Sequence, residues 1–132
     1  MRFFFDNCIS LRIAEAIERL TNPECEVTHL QQKFPSEVTD PEWLGTLGDE
    51  GGWIIVSGDE RIVKNPQNQR AWRQSGLTAF FLKSGWTNFK LWDQAWRLVK
   101  YWPSIVEAAA RAQPGIGYWV SVNGKLEPVR FK

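Results

Sequence analysis

One histidine and two cysteines are all that the 132 residues hold of those types, and each scarcity excludes a chemistry. A ribonuclease working through a histidine pair needs two in one chain, and only His29 is present. There is no Gly-x-Ser-x-Gly elbow to support a Ser-His-Asp hydrolase and no glycine-rich phosphate loop. Cys8 and Cys25 have neither Cys-x-x-Cys spacing nor histidines around them, which argues against a zinc site. They are expected to be buried free thiols, a usage that suits the cytoplasm. No run approaches the ~18 apolar residues of a membrane-spanning helix, so no membrane association is expected. The opening Met1-Arg2-Phe3-Phe4-Phe5-Asp6 acquires charge too early for a signal peptide. Excess charge is lacking too. At a net +1 there is no global basic field, and contact with nucleic acid has to come from a local patch.

What the chain does have is aromatic bulk, with eight tryptophans among its 132 residues. Tryptophan brings a large apolar area and a donor that needs a partner. The length suits one domain with a core able to stand alone.

The elements follow from periodicity. Phe3-Phe4-Phe5 is a short apolar run, as in a strand buried on both faces. Ile9, Ile13, Ile17 and Leu20 then mark one face of an amphipathic helix, with Asn7 or Ser10 as its cap and Thr21-Asn22-Pro23 as its end. Cys25 to Leu30 reads as a second strand and Gln31 to Thr39 as a loop. Asp40-Pro41-Glu42 opens the next helix, with Asp40 at the cap and Pro41 in the first position. Gly48 or Gly51-Gly52 ends it. Trp53-Ile54-Ile55-Val56 is the clearest buried strand. Asn65-Pro66 starts a short helix ending at Gly76, and Thr78 to Leu82 is another strand. Phe89, Trp92, Trp96 and Val99 recur at helical spacing, which assigns Trp92 and Trp96 to the core. Pro103 kinks that helix or starts another, which runs to Gln113. Tyr118 to Val122 and Lys125 to Phe131 flank Asn123-Gly124, the signature of a hairpin with a type I′ turn. Alternating strands and helices predict a three-layer α/β/α fold with a mostly parallel central sheet and a C-terminal β-hairpin.

Two strands end alike, an apolar run followed by an acid: Phe5-Asp6 and Val56-Ser57-Gly58-Asp59. In parallel neighbours both acids leave the same sheet edge, where ligand sites of open α/β sheets gather. Asp40 and Glu42 open a helix that must start near that edge, so four carboxylates can converge there. Each has a local reading: a cap for Asp6 and Asp40, a first-turn acid for Glu42, an Asx-turn for Asp59. Together they suit a hard cation, Mg²⁺ or Mn²⁺, because like charges at short range need one. Such a site serves phosphodiester hydrolysis without histidine, and His29 reads as structural. Arg61, Lys64, Arg70 and Arg73 follow Asp59. They are either phosphate contacts or a solvated helix face. Trp86 and Trp92 are of the type that stacks bases.

Asp6-Asn7 followed by Leu11-Arg12-Ile13-Ala14-Glu15-Ala16-Ile17 resembles the opening of the PIN-like nucleases. Asp40-Pro41-Glu42-Trp43-Leu44, followed by Trp53-Ile54-Ile55-Val56-Ser57-Gly58-Asp59, resembles their next block. The nearest likeness is to the small PIN-like group related to VapC-type toxins, over about residues 2–113. The whole chain, 1–132, is expected to be a single PIN-like domain; the terminal hairpin at 117–131 has no counterpart in the family and is expected to extend the sheet edge or form a homodimer interface. It implies a Mg²⁺- or Mn²⁺-dependent ribonuclease acting on RNA and held by an antitoxin protein. In that scheme Asp6 is the central metal ligand, Asp40 or Glu42 the second acid and Asp59 the third. Asn7 orients a ligand or phosphate, Arg61, Arg70 and Arg73 bind substrate, and Asp93 is the candidate fourth acid. The non-catalytic alternative is a PIN-like module that binds RNA or a protein.

Overall fold

The side chains of β1, Arg2–Phe5, alternate across the sheet, and that alternation divides the core in two. Phe3 and Phe5 point to one side and Phe4 to the other. The computed structural model describes residues 1–131. Its chain continues as α1 (Leu11–Thr21), β2 (Glu26–His29), α2 (Leu30–Lys33), α3 (Asp40–Glu50), β3 (Trp53–Ser57), α4 (Arg61–Lys64), α5 (Pro66–Ser75) and β4 (Ala79–Leu82). A 3₁₀ turn at Trp86–Asn88 leads to α6 (Leu91–Arg111), β5 (Gly117–Val120) and β6 (Leu126–Pro128). The strands form one sheet in the order β2-β1-β3-β4-β5-β6. The first five are parallel and β6 is antiparallel, which gives the expected three-layer α/β/α fold.

One face packs against α1 and α6 through Phe3, Phe5, Val56, Phe80, Leu82 and Val120, which meet Ile13, Ile17, Leu98, Trp102 and Ile105. The other packs against α3 and α5 through Phe4, Ile55, Ala79 and Phe81, which meet Trp43, Leu44, Leu47 and Trp72. The helices α3 and α5 run close together. A Cβ on Gly48 would lie 2.9 Å from the Cα of Ser75.

The borders of the sheet are closed locally. On β2 the Val27 N–H donates to the Glu18 carboxylate, and the His29 N–H donates to Gln32 Oε1 at 2.9 Å. On the opposite border Pro128 has no N–H to offer.

Several expectations are corrected. Leu30 starts α2 rather than ending β2, so the expected loop holds a helical turn. The signal was invisible in the pattern because that turn is capped by a histidine: the His29 Nδ1 accepts from the Gln31 N–H. Thr39, not Asp40, caps α3, since the Thr39 hydroxyl accepts from the Glu42 N–H. Pro103 lies inside one helix, α6, rather than dividing it. Leu20, Trp92, Trp96 and Val99 are exposed, so the buried stripe of α6 is Leu98, Trp102 and Ile105 with Gln94. Cys25 is buried as expected but Cys8 is exposed, and both are free thiols. The hairpin forms without a type I′ turn. Asn123 is not at positive φ; Gly124 alone is, at +84°, and its N–H closes the turn on the Ser121 carbonyl at 2.9 Å. A Cβ at Gly124 would also strike the Tyr101 ring at 2.4 Å. Among the described residues no helix is long and apolar enough to cross a membrane.

Candidate functional site

The strand order runs outward from β1 in both directions, to β2 on one side and β3 on the other. A crevice forms outside the carboxyl ends of strands at such a switch point. Asp6 and Asp59 follow β1 and β3 and therefore flank it.

Asp6 is only 4 % exposed. Its Oδ1 accepts from the Cys8 N–H at 3.0 Å and its Oδ2 from the Ser57 hydroxyl. The Ser57 oxygen in turn accepts from the Asp59 N–H at 3.0 Å, so one hydrogen-bonded chain joins the ends of β1 and β3. Gly58 lets the two loops meet, since a Cβ there would stand 2.9 Å from the Cβ of Cys8 and 3.7 Å from a Thr87 methyl. Burial pushes the Asp6 carboxyl up to about 6, against the lowering effect of its hydrogen bonds, and the charge of Asp59 adds to the rise. Among the described residues Asp6 has no cationic partner.

Asp59 is held differently. The Arg61 guanidinium grips it as a fork, Nε to Oδ1 at 2.9 Å and Nη2 to Oδ2 at 2.8 Å. Its Oδ1 also accepts the Arg61 backbone N–H at 2.9 Å. The side-chain hydrogen bond to Arg61 holds Asp59 below the usual carboxylate range. Asp40 uses both oxygens inside the protein: Trp43 Nε1 donates to Oδ1 at 3.0 Å and Asn68 Nδ2 to Oδ2 at 3.2 Å. It thereby ties α3 to α5. Glu42 is exposed and accepts from the Thr39 hydroxyl at 2.8 Å.

Cys8 reports the field these groups share. Cys8 is exposed overall, yet partial desolvation, then the charges of Asp6 and Asp59, push its thiol up to about 12, with Asp40 adding and Arg61 opposing. The edge is thus acidic as a whole. Among the described residues, however, no three His, Cys, Asp or Glu side chains are grouped as a metal-holding cluster. The oxygen donors of Asp6, Asp59 and Asp40 match a hard divalent cation in kind. Their arrangement is not a closed shell, because the Arg61 guanidinium stands where a cation would meet Asp59.

The remaining expected residues divide by position. Asn7 is exposed at this edge, its Oδ1 accepting from Gln31 Nε2 at 3.3 Å. Arg61 belongs to the edge through Asp59. Arg70 is exposed midway along α5, while Arg73 lies in the last turn, toward the opposite end of the sheet, over the Phe131 ring at 4.5 Å. Asp93 is exposed in the first turn of α6 and makes no side-chain hydrogen bond or ion pair among the described residues. His29 is structural: Nδ1 accepts from the Gln31 N–H at 3.0 Å, so Nε2 carries the proton and donates to the Ile9 carbonyl at 2.7 Å. Burial lowers its pKa.

Sequence reasoning missed Ser57, Cys8 and Glu60. Glu60 accepts from the Ser84 N–H at 3.2 Å and so joins the loop after β3 to the loop after β4. A signal for Ser57 was present, a hydroxyl residue closing an apolar strand just before Gly58-Asp59. A cleft of about 590 Å³ lies elsewhere, between the end of α1 and the middle of α6, and holds none of these carboxylates; the acids in its lining are Glu24 and Glu107.

No curated protein and no solved structure matches this chain. A family model described as a PIN like domain matches residues 1–84, which span β1 to β4 and both acid-bearing strand ends. With most of its length matched, and with the sheet and switch-point acids in place, the chain belongs to the PIN-like domain family.

Proposed function

We propose that this protein is a metal-dependent endoribonuclease, of the kind that serves as the toxin in a toxin–antitoxin pair of the VapC type. The observation that carries this reading is Asp6: a buried carboxylate without a cationic partner among the described residues, beside a second acid, at the switch point of the sheet. Asp6 and Asp59, with Asp40 behind them, are the residues that would hold Mg²⁺ or Mn²⁺. A divalent cation there supplies charge neutralisation at the scissile phosphate and lowers the pKa of an attacking water. The chain's own residues do the rest. Ser57 fixes the orientation of Asp6 through its hydroxyl. Arg61, already charged and largely exposed, can turn from Asp59 to a phosphate oxygen. Asn7 offers an amide at the same edge.

The Arg61–Asp59 pair also favours a second reading. A guanidinium seated on the third acid, with no three acids grouped among the described residues, is what a non-catalytic PIN-like module for RNA or protein binding would carry. Cleavage of RNA with Mg²⁺ or Mn²⁺, with and without chelator, separates the two. We expect turnover that chelator abolishes, and a loss of at least about 100-fold in Asp6→Asn and Asp59→Asn. Activity unchanged in both variants would overturn the nuclease reading. RNA binding without cation and without cleavage would establish the second. The toxin role predicts growth arrest on overexpression, relieved by Asp6→Asn.

A further inference from the structure

The outer face of α6 carries what the core does not use. Trp92 is 81 % exposed and Trp96 is 47 % exposed, one helical turn apart. The helix meets the sheet through Gln94, Leu98, Trp102 and Ile105, so neither indole is needed to hold it down. Two large aromatic side chains left side by side in water mark a contact surface rather than scattered apolar exposure.

The charge around them selects the partner. Between Lys90 and Lys100 there are three cations, Lys90, Arg97 and Lys100, and one acid, Asp93. None of the three cations is ion-paired among the described residues. The Arg97 guanidinium lies 4.3 Å from the centre of the Trp96 ring and 3.8 Å from that of Phe89, forming a flat cationic tier between two rings. Lys100 stands 6.0 Å from the Trp96 ring. The apolar cleft farther along α6 has the opposite character, with Glu24 and Glu107 in its lining. A polyanion therefore suits the tryptophan end of the helix and not the cleft.

The stripe also begins beside the acidic edge. The turn Trp86–Asn88 that precedes α6 brings Thr87 next to Gly58. Exposed π-faces at neighbouring positions, flanked by unpaired cations, bind single strands by base stacking and phosphate attraction with little sequence preference.

We infer that Trp92 and Trp96, with Lys90, Arg97 and Lys100, form a track for single-stranded RNA leading away from the acidic edge. The track deepens the ribonuclease reading and rests on it for the choice of RNA. The experiment is equilibrium binding of a short fluorescein-labelled oligouridylate to the full chain, by anisotropy, in chelator so that no cleavage intervenes. Trp92→Ala and Trp96→Ala should each weaken binding about tenfold, while Trp92→Phe and Trp96→Phe keep most of the affinity. Lys90→Gln with Lys100→Gln should reduce the slope of log affinity against log salt by roughly 1.4. An oligothymidylate arm shows whether the track takes RNA alone or single strands in general; dependence on the tryptophans in the oligouridylate arm supports it whichever way the oligothymidylate behaves. Alanine variants that bind the oligouridylate as tightly as the unmodified chain would overturn the inference. So would failure of the unmodified chain to bind it at low salt, or alanine variants that keep RNA and lose only a protein partner. The two readings fail separately. A chain that cleaves nothing yet binds through its tryptophans keeps the track, and one that cleaves through Asp6 but ignores these substitutions loses it.

Discussion

On the α3/α5 face of the sheet three of the four indoles are tied, and Trp119, partly buried on β5, is the fourth. Trp43 donates to Asp40 at 3.0 Å, Trp53 to Glu50 at 2.7 Å and Trp72 to the Leu77 carbonyl at 2.8 Å. On the α1/α6 face only Trp102 has a partner among the described residues, the Thr21 hydroxyl at 3.2 Å. Trp86 is fully buried with its N–H unsatisfied, and Trp92 and Trp96 stand in solvent. The same residue type thus specifies a core with its buried indoles tied on one side and an open aromatic surface on the other. The closed face also sets the acids, since the bond from Trp43 fixes Asp40. Rigidity on that side positions charge, and open aromatic area on the other is left for a partner.

The largest effect that would sharpen this contrast is on stability. Trp72→Ala should cost about 3–5 kcal/mol, because its ring fills the space beneath Gly117, where an added Cβ would lie 2.5 Å away. Trp92→Ala should stay within about 0.5 kcal/mol. Denaturant unfolding of both variants checks this, and equal costs would erase the difference between the faces.

The next effect lies at the seam between the faces. Asp6 has its carboxyl raised to about 6 in the folded state, so its favourable contribution is full below the unfolded value of 3.8 and is lost as pH rises through about 6. Ionised Asp6 should cost on the order of 2–3 kcal/mol in the cation-free protein at pH 8. Asp6→Asn should then be the more stable chain above about pH 6 and lose that advantage toward pH 4. His29 works in the other direction. Burial lowers its pKa, so its contribution is present above the unfolded value of 6.5 and is lost as pH falls through the depressed folded value. Thermal melts of the parent, Asp6→Asn and His29→Gln across this range separate the two groups. A stability gap between parent and Asp6→Asn that does not vary with pH would break the account of Asp6.

The smallest effect compares two buried rings directly. Trp72→Phe removes a made hydrogen bond, whereas Trp86→Phe removes an N–H with no partner. Trp86→Phe should be the milder by about 1 kcal/mol. The reverse ranking in urea unfolding would show that Trp86 is held by something other than its polar atom.

Most of the framework was legible because the strands are short and apolar on both faces. Phe3-Phe4-Phe5 and Trp53-Ile54-Ile55-Val56 admit few other readings. The face of α6 was not legible for a physical reason. That helix is apolar on two sides, and spacing alone cannot say whether Trp92 and Trp96 or Leu98 and Trp102 turn toward the sheet. Asp6 and Asp59 could be placed on one edge from topology. The grip of Arg61 on Asp59 could not, because residues two apart meet only in a particular turn. Thr39 and Asp40 are both good caps, and the choice fell to Thr39 while the Asp40 carboxylate went to Trp43 and Asn68.

The engaged donors of β2 and the proline of β6 have a consequence for the behaviour of the protein in bulk. A bare strand border is a template on which further copies can polymerise. Here an incoming chain would have to displace the Glu18 carboxylate from Val27 and the Gln32 amide from His29, and on the other side it would meet an imide ring at Pro128. Fibre growth by strand addition is opposed at both ends of the sheet, so a concentrated solution of folded molecules is protected from templating by two side chains and one ring.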